Sequence, residues 1–355
     1  VGSWRSFSTW IASGFASVMA RLLGANRYDE ARNAYAQALT LALMIGVLLM
    51  LVFTLSGQSL ALASNNDNPA QAATSFTYMS IIMYGAPLFF WLAIASDSLR
   101  SEGHIGFIAL VSLITTVGNG VMNYVFIVLL EMGVAGSSYG TVASQIIALC
   151  AVWAFRRSHK NRTGLPLFAI TAVRNRWREF LSLGAPSSLT YVGVALTSGA
   201  ILLSLQQWLP DNYEVTVSAY GVITRVLTFV YLPLLGLGLA MQSIVGNNVG
   251  AQQYQRSNRS LCIAVGVALF YGVVTEGLLW WLRTDVGHLF VDDPAVTDEI
   301  ARLLPVVSLA LFLIGPLMLI SFYFQSIGDA RRAGILTIAK TYLFALPLII
   351  VLPLI

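Results

Sequence analysis

Residues 34–56 read AYAQALTLALMIGVLLMLVFTLS, an apolar run without a charged residue that is long enough to cross a bilayer as one helix. A spanning helix needs about 20 residues, because the hydrocarbon core is about 30 Å thick and a helix rises about 1.5 Å per residue. Ten apolar runs of about this length or longer fill the 355-residue chain, which is 57% hydrophobic and 10% charged, with a mean hydropathy of +0.75. The sequence therefore predicts an all-α polytopic membrane protein.

The ten predicted spans cover residues 1–23, 34–56, 78–99, 107–130, 134–155, 181–205, 215–245, 260–282, 303–324 and 333–355. A soluble protein with ten buried helices would need amphipathic surface helices and loops that are much richer in charge. Cys150 and Cys262 lie in apolar runs, and the three histidines are scattered over loops, so neither a disulfide framework nor a metal site is predicted.

Basic and acidic residues alternate between the breaks that separate these runs. Arginine and lysine gather at 21–32, 100, 156–178, 256–259 and 331–332, whereas acids dominate the other breaks, with Arg283 and Arg302 as exceptions. By the positive-inside rule the basic breaks face the cytoplasm, which gives a multi-pass orientation in the plasma (inner) membrane. The formal net charge of +4 is thus an orientation signal, and no nucleic-acid partner is predicted.

Two parts of the chain resemble each other at a constant shift. Residues 17–43, SVMARLLGANRYDEARNAYAQALTLAL, align with residues 243–269, SIVGNNVGAQQYQRSNRSLCIAVGVAL, and share a Gly-Ala turn followed by Tyr. The shift is 243 − 17 = 226 residues, and SEGH at 101–104 matches SIGD at 326–329 at a shift of 225. We interpret the pattern as an internal repeat that arose by duplication.

The repeat predicts two parallel six-helix lobes. Its shift spans six helices, an even number, so both copies have the same orientation in the membrane. Counting by this period predicts twelve transmembrane helices, of which the chain holds ten, as a fragment without the first and last helices. The predicted parts are an N-terminal lobe over 1–155, a basic cytoplasmic linker over 156–180 and a C-terminal lobe over 181–355.

This architecture favours a secondary carrier. Parallel lobes that face each other form a central cleft, the usual place for the substrate in such carriers. The chain has no GxxxxGK[ST] phosphate-binding loop, so transport driven by ATP hydrolysis is not predicted. We therefore expect a monomer that moves a small molecule by means of an ion gradient.

Several motifs occur in order at the corresponding helix ends: RLLGAN at 21–26, MGVAG at 132–136 leading to Thr141, GAP at 184–186, AYG at 219–221 followed by Arg225, GNNVGA at 246–251 after Gln242, and FQSIGD at 324–329. Together they resemble the multidrug and toxic compound extrusion (MATE) family, from its second helix to its eleventh. The resemblance implies an antiporter that exports organic, often cationic, compounds or drugs by alternating access. It also implies Na⁺ or H⁺ as the coupling ion and no other cofactor.

The resemblance further assigns an ion site in the N-terminal lobe. Asn119, Asn123 and Thr141 stand at positions where archaeal-type members of the family bind the coupling ion, but the family's aspartate is replaced here by Asn123. An amide oxygen can ligate Na⁺, whereas it does not carry a proton at neutral pH. The acids that another branch uses in the second lobe correspond to Val194 and Leu317, so that second site is predicted to be absent.

Asp97 and Glu276 are the acids that lie well inside apolar runs, and both are candidates for binding an ion or the substrate. Asp97 precedes Arg100 by three residues, the spacing of an ion pair on one helix face, so a structural pair and a coupling carboxylate are both open. Glu276 lies near the outer interface. Its role as a functional acid or as a structural one is equally open.

A cavity for flat cations would be lined by aromatic side chains, since ring faces attract positive charge. The candidates for cavity lining are Tyr84, Trp91, Tyr191, Tyr220, Arg225 and Gln242. The default role of such aromatic residues is apolar packing. Arg225 needs an acceptor in mid-span, either backbone carbonyls or the substrate.

Two alternatives differ from the antiporter in chemistry. A lipid-linked saccharide flippase of the same superfamily would need a cleft rich in arginine and lysine, and only Arg225 and Arg5 are expected at membrane depth. An integral membrane enzyme acting on lipids would need clustered His, Asp or Glu at one membrane face. No such cluster occurs in the sequence, so an enzyme is not predicted.

Overall fold

The computed structural model describes residues 3–64, 69–158, 164–166, 168–209 and 212–351. Within these ranges every regular element is a helix, which confirms the prediction of an all-α fold. Some residues of the charge pattern and of the predicted linker lie outside the described residues: Asp67, His159, Lys160, Arg162 and Asp211.

The first part of the chain forms the helices α1 (Ser3–Gly24), α2 (Tyr28–Ser64), α3 (Pro69–Tyr84), α4 (Ala86–Ser101), α5 (Ile105–Asn123), α6 (Gly133–Ser158) and α7 (Trp177–Trp208). A π-helical stretch, Tyr124–Leu129, continues α5. A short turn follows α1, and in it the backbone N–H of Arg27 donates to the carbonyl of Leu22 at 3.0 Å.

The second part forms α8 (Tyr213–Gly250), α9 (Tyr254–Trp281), α10 (Pro294–Ser308), α11 (Leu311–Ser326), α12 (Ala330–Ile338) and α13 (Leu346–Val351). A π-helical stretch, Ala339–Ala345, joins α12 to α13. Aspartates cap two of these helices, since Asp293 accepts from the N–H of Ala295 and Asp329 accepts from that of Arg332. Such caps satisfy backbone donors that have no partner inside the helix.

Seven of the described helices are long and apolar enough to cross a membrane, and the number rises to nine if each of two bent helix pairs is one span. The bent pairs are α3 with α4 and α10 with α11, and each is bent by 45°. The first predicted span corresponds to a shorter apolar helix, Trp10–Gly24. Large apolar side chains on the helix surfaces, such as Leu55 at 89% exposure and Phe270 at 72%, are suited to contact with lipid.

The chain divides into two compact units, Val1–Gly184 (unit 1) and Ala185–Ile355 (unit 2). The boundary falls inside α7, so the first turns of this helix belong to unit 1. The core of unit 1 includes Phe15 and Phe90, both fully buried, and that of unit 2 includes Ile223 and Leu234.

The segment predicted as a linker packs on unit 1. The backbone N–H of Arg176 donates to Oε1 of Gln37 at 3.0 Å, and the indole N–H of Trp177 donates to the carbonyl of Gln37 at 3.2 Å. Arg176 also forms an ion pair with Glu30 at 2.7 Å. Gln37, a polar residue in an otherwise apolar run, is thus explained as the anchor of this segment on α2.

The internal repeat reappears in the backbone of the turns. Asn26 and Gln252, which are 226 residues apart, adopt the left-handed region with φ of 58° and 60°. Gly103 and Gly328, which are 225 residues apart, have φ of 91° and 92°. Few residues adopt positive φ, so equal values at equivalent corners are strong evidence that both units repeat one chain path.

The broken spans follow the same repeat. Gly46 of α2 lies against Pro87, the second residue of α4, where an added Cβ would be 3.0 Å from the Pro87 Cα. At a shift of 226, Gly272 of α9 lies against Phe312 of α11, and a Cβ would be 2.6 Å from the Phe312 Cα. In each unit a glycine thus lets a long helix approach the backbone just beyond the break.

Candidate functional site

Asn119, Asn123 and Thr141 meet between α5 and α6 in a chain of hydrogen bonds. Nδ2 of Asn119 donates to Oγ1 of Thr141 at 3.0 Å, and Nδ2 of Asn123 donates to Oδ1 of Asn119 at 3.2 Å. The Thr141 hydroxyl in turn donates to the carbonyl of Ser137 at 3.0 Å. The structure therefore brings together the three residues that the family resemblance assigned to one ion site.

One acceptor of this chain has no partner. Among the described residues, Oδ1 of Asn123 is buried and accepts no hydrogen bond. Gly140 of α6 gives it room, because a Cβ there would overlap this oxygen. Asn123 is also the last residue of α5 before the π-helical stretch Tyr124–Leu129, and such stretches are frequent at functional sites. A buried, unpartnered amide oxygen is a group that a dehydrated cation can bind.

Asp97 lies on α4 and pairs with Arg100, as the spacing of three residues predicted. The Asp97 side chain is 13% exposed and that of Arg100 is 19% exposed, so the pair is largely withdrawn from solvent. This ion pair is the one that the structural interpretation of Asp97 predicts. A role of Asp97 in coupling stays a prediction.

Glu276 lies on α9 and reaches the break between α10 and α11. Its Oε2 accepts a hydrogen bond from the backbone N–H of Phe312 at 3.2 Å. Phe312 is the second residue of α11, which begins after Ala310 in the left-handed conformation with φ of 66°. Glu276 therefore satisfies one of the backbone donors exposed at the start of this half-helix and adds a favourable negative charge there.

Replacing Glu276 with leucine is expected to destabilise the protein by about 1 kcal/mol, because the N–H of Phe312 loses its acceptor. Glu276→Gln keeps a carbonyl oxygen in the same place, and we expect it to retain most of the stability. The melting temperature of the detergent-purified protein measures both effects. An equal loss in the two variants would show that the charge matters and not the cap.

The six candidates for cavity lining have different surroundings. Tyr84 and Tyr191 are exposed at 51% and 43%, whereas Trp91 packs edge-on against Phe168 with ring centroids 5.2 Å apart. Tyr220 is half-buried, and its carbonyl accepts from the Thr224 hydroxyl. Tyr84 and Trp91 belong to unit 1, and Tyr191 and Tyr220 belong to unit 2.

Gln242 is buried in unit 2. It is 2% exposed, and its Nε2 donates to Oε1 of Gln325 at 3.1 Å, while Gln325 donates to Oγ of Ser187. This buried polar chain ties α8, α11 and α7 together inside unit 2. Gln242 therefore lies in the interior of the unit, and its role in lining a cavity stays a prediction.

The prediction of which cations lie at membrane depth needs one correction. Arg225 is exposed on α8, and the side chain of Arg5 lies outside the described part of the chain. Lys340 was not among the cations that the sequence analysis expected at membrane depth, yet it is exposed within the candidate span Ala330–Val351. Its position in the tenth predicted apolar run was the signal that could have found it. Within the described part of unit 2, Arg225 and Lys340 are thus the cations that lie inside predicted apolar runs.

Sequence reasoning also missed a buried ion pair in unit 1. Arg156 of α6 bonds Glu102 at 3.3 Å, with side-chain exposures of 4% and 3%. The guanidinium also donates to the hydroxyl of Ser98 and lies 5.6 Å from the ring centroid of the fully buried Tyr35. The four residues come from α2, the α4 end and α6, so the cluster fixes these helices against one another.

No metal-binding cluster was found: the described residues contain no group of three or more His, Cys, Asp or Glu side chains arranged to hold a metal ion. The polar chain of Asn119, Asn123 and Thr141 consists of neutral oxygens and amides. Its chemistry suits a monovalent cation such as Na⁺ and no transition metal, which would need nitrogen or sulfur ligands.

Comparisons with known proteins agree on one family. The sequence model of the MatE family matches residues 5–125 and 186–351. A probable multidrug resistance protein, YoeA of Bacillus subtilis, is 23% identical over 98% of the chain and 75% of its own length. A probable multidrug resistance protein, NorM of Listeria monocytogenes, is 24% identical over 93% of the chain and 73% of its own length.

The fold is also similar to solved structures. An outward-facing multidrug resistance MATE family transporter superposes with a TM-score of 0.88 at 21% identity, over 99% of this chain and 77% of that one. At this identity the superposition establishes the fold. Together with seven or more apolar helices, it makes the chain a multi-pass membrane protein.

Proposed function

The chain belongs to the MatE family, and on that basis we propose that it exports organic compounds, including drugs, across the plasma membrane in exchange for Na⁺ or H⁺. The observation that carries the proposal is the match of the family to a long range in each unit, residues 5–125 and 186–351. The shared fold of a multidrug resistance transporter supports it. The relatives are named as transporters, so an enzymatic function is not favoured.

We propose that the coupling ion binds at Asn119, Asn123 and Thr141. The support is geometric, since Oδ1 of Asn123 is buried without a partner beside two further side-chain oxygens. These neutral groups can ligate Na⁺ but do not exchange a proton at neutral pH. Proton coupling would instead require an acid in a span, either Asp97 or Glu276. One copy of the chain supplies all of these residues, and we propose that the transporter works as a monomer.

The proposal is tested with the purified protein in liposomes that contain a fluorescent organic compound, either cationic ethidium or anionic carboxyfluorescein. A Na⁺ gradient and an H⁺ gradient are imposed separately, each directed against the expected export. We expect at least one compound to be exported when at least one gradient is present. Flux of neither compound above protein-free liposomes, or flux unaffected by both gradients, would contradict the proposal.

Replacing Asn123 with aspartate is expected to raise the apparent affinity for Na⁺ about tenfold, which corresponds to about 1.4 kcal/mol, because a full negative charge replaces an amide oxygen. The affinity is measured from the Na⁺ dependence of the export rate. Asn33→Asp, at an exposed position of α2, adds the same charge away from the site and serves as the control. Identical Na⁺ dependence in both variants would remove Asn123 from the ion site.

A further inference from the structure

The acids within and next to α4 have cationic partners. Asp97 pairs with Arg100, and Glu102, one residue beyond α4, pairs with Arg156. In unit 2 the one acid inside a predicted apolar run, Glu276, bonds to the backbone N–H of Phe312. Asp97 and Glu276, the two acids inside predicted apolar runs of the described chain, thus each have a partner.

Arg225 and Lys340 are different. Within the described ranges of the chain, neither side chain has an ion pair or a hydrogen bond, and both are exposed. Arg225 lies about 18 Å along α8 from Tyr213, and Lys340 lies about 15 Å along its span from Ala330, at 1.5 Å per residue. Both thus lie more than two helical turns inside an apolar segment that is long enough to cross a membrane.

The face of α8 that carries Arg225 is polar. Ser218, Gly221, Thr224, Arg225 and Thr228 are all exposed, and steps of three and four residues place them on one side of the helix. A surface that contacts lipid tails would be apolar here, as it is further along α8 at Phe229 and Leu232, which are 68% and 55% exposed. This polar face indicates that Arg225 reaches water within the span.

Lys340 is the second residue of the π-helical stretch Ala339–Ala345. On its C-terminal side, Thr341 contacts Gly193, and the Tyr342 hydroxyl donates to the carbonyl of Leu189 at 2.8 Å. These contacts fix the stretch against α7 and leave Lys340 exposed beside the contact. Charged residues at this depth are costly unless they reach water or a partner, and π-helical stretches are frequent at functional sites.

We propose that Arg225 and Lys340 bind the negative group of the exported compound, so that the substrates include anionic or zwitterionic organic compounds with a carboxylate, sulfonate or phosphate. This inference rests on the proposed export function and adds the substrate class to it. The planar guanidinium of Arg225 can hold two oxygens of such a group, and the ammonium of Lys340 supplies a compact positive charge. The pairing of Asp97 and the capping role of Glu276 leave Arg225 and Lys340 as the charges inside predicted apolar runs of the described chain that have no partner.

The test compares carboxyfluorescein with ethidium in the liposomes described above, each with the coupling gradient that drives export. In the unaltered protein we expect saturable export of carboxyfluorescein. Arg225→Gln and Lys340→Gln are each expected to lower its initial rate at least tenfold at subsaturating concentration, while ethidium flux, where present, changes less than twofold. Lys340→Arg keeps the charge and is expected to retain most of the carboxyfluorescein flux. Arg283→Gln, an exposed cation near the end of α9, is the matched control and should leave both fluxes unchanged.

Export of ethidium without export of carboxyfluorescein by the unaltered protein would overturn the inference and leave the export function standing. Absence of both fluxes would instead contradict the export function. Unchanged carboxyfluorescein flux in Arg225→Gln and Lys340→Gln would also overturn the inference, and would indicate that Lys340 extends to the lipid headgroups. If either glutamine variant fails to fold, the decision rests on the unaltered protein and on Arg225→Lys, for which we expect a partial loss of the anion's flux alone.

Discussion

Arg156→Met is expected to destabilise the protein by about 3–5 kcal/mol, because it leaves the carboxylate of Glu102 buried without its cation. The side chains of Arg156 and Glu102 are 4% and 3% exposed, so water does not replace the lost partner. The loss is measured as a fall in the midpoint of chemical or thermal unfolding of the detergent-purified protein.

Two further variants separate the ion pair from a general effect of losing an arginine. Arg157→Met replaces the neighbouring arginine, which is exposed and stacks on Trp153. We expect the free energy of unfolding to change by less than about 0.5 kcal/mol. The double variant Arg156→Met with Glu102→Met removes both charges, and its loss should be much smaller than the sum of the single losses. Additive losses would contradict a coupled pair.

Gly184→Ala is expected to lower the free energy of unfolding by about 3 kcal/mol or more, because the added Cβ would overlap the carbonyl oxygen of Trp10. Two backbones meet here, and the indole N–H of Trp10 donates to the carbonyl of Leu181 at 2.6 Å. Gly14 of α1 approaches the Phe180 carbonyl in the same way. Neither backbone can move without separating α1 from the start of α7, so we expect poor expression of folded protein and a lower melting temperature.

Gly199→Ala is the matched control on the same helix. An added Cβ at Gly199 has no atom within 4 Å, and alanine favours a helix over glycine by about 1 kcal/mol, so this variant should be neutral or slightly stabilised. Equal behaviour of the two alanine variants, measured as the yield of monodisperse protein and its melting temperature, would show that α1 and α7 do not approach this closely.

Much of the fold could be predicted because hydrophobic length is a local property of the sequence. The run at 34–56 lies within α2, and the turns at Asn26 and Gln252 repeat because the residues around them repeat. The polar chain of Asn119, Asn123 and Thr141 was also predictable, since two members are four residues apart on one helix and the third was supplied by the family resemblance.

Other features depend on contacts between distant parts of the chain, which no local pattern encodes. Glu102 and Arg156 are separated by 54 positions and looked like ordinary charges at helix ends. Gln37 looked like a polar interruption of an apolar run until Arg176 and Trp177 were seen to bond to it. Glu276 acquires its role as a cap only because the chain breaks before Phe312, a bend that hydropathy does not register.

The most direct test of the central claim is the reverse coupling of ion flux to substrate flux. Liposomes with the protein are loaded with a high concentration of a dye that it exports, and Na⁺ and H⁺ are initially equal on both sides. The liposomes should take up one of these ions as the dye leaves, because antiport links the two flows in opposite directions. A dye gradient that dissipates through the protein without moving either ion would contradict the account.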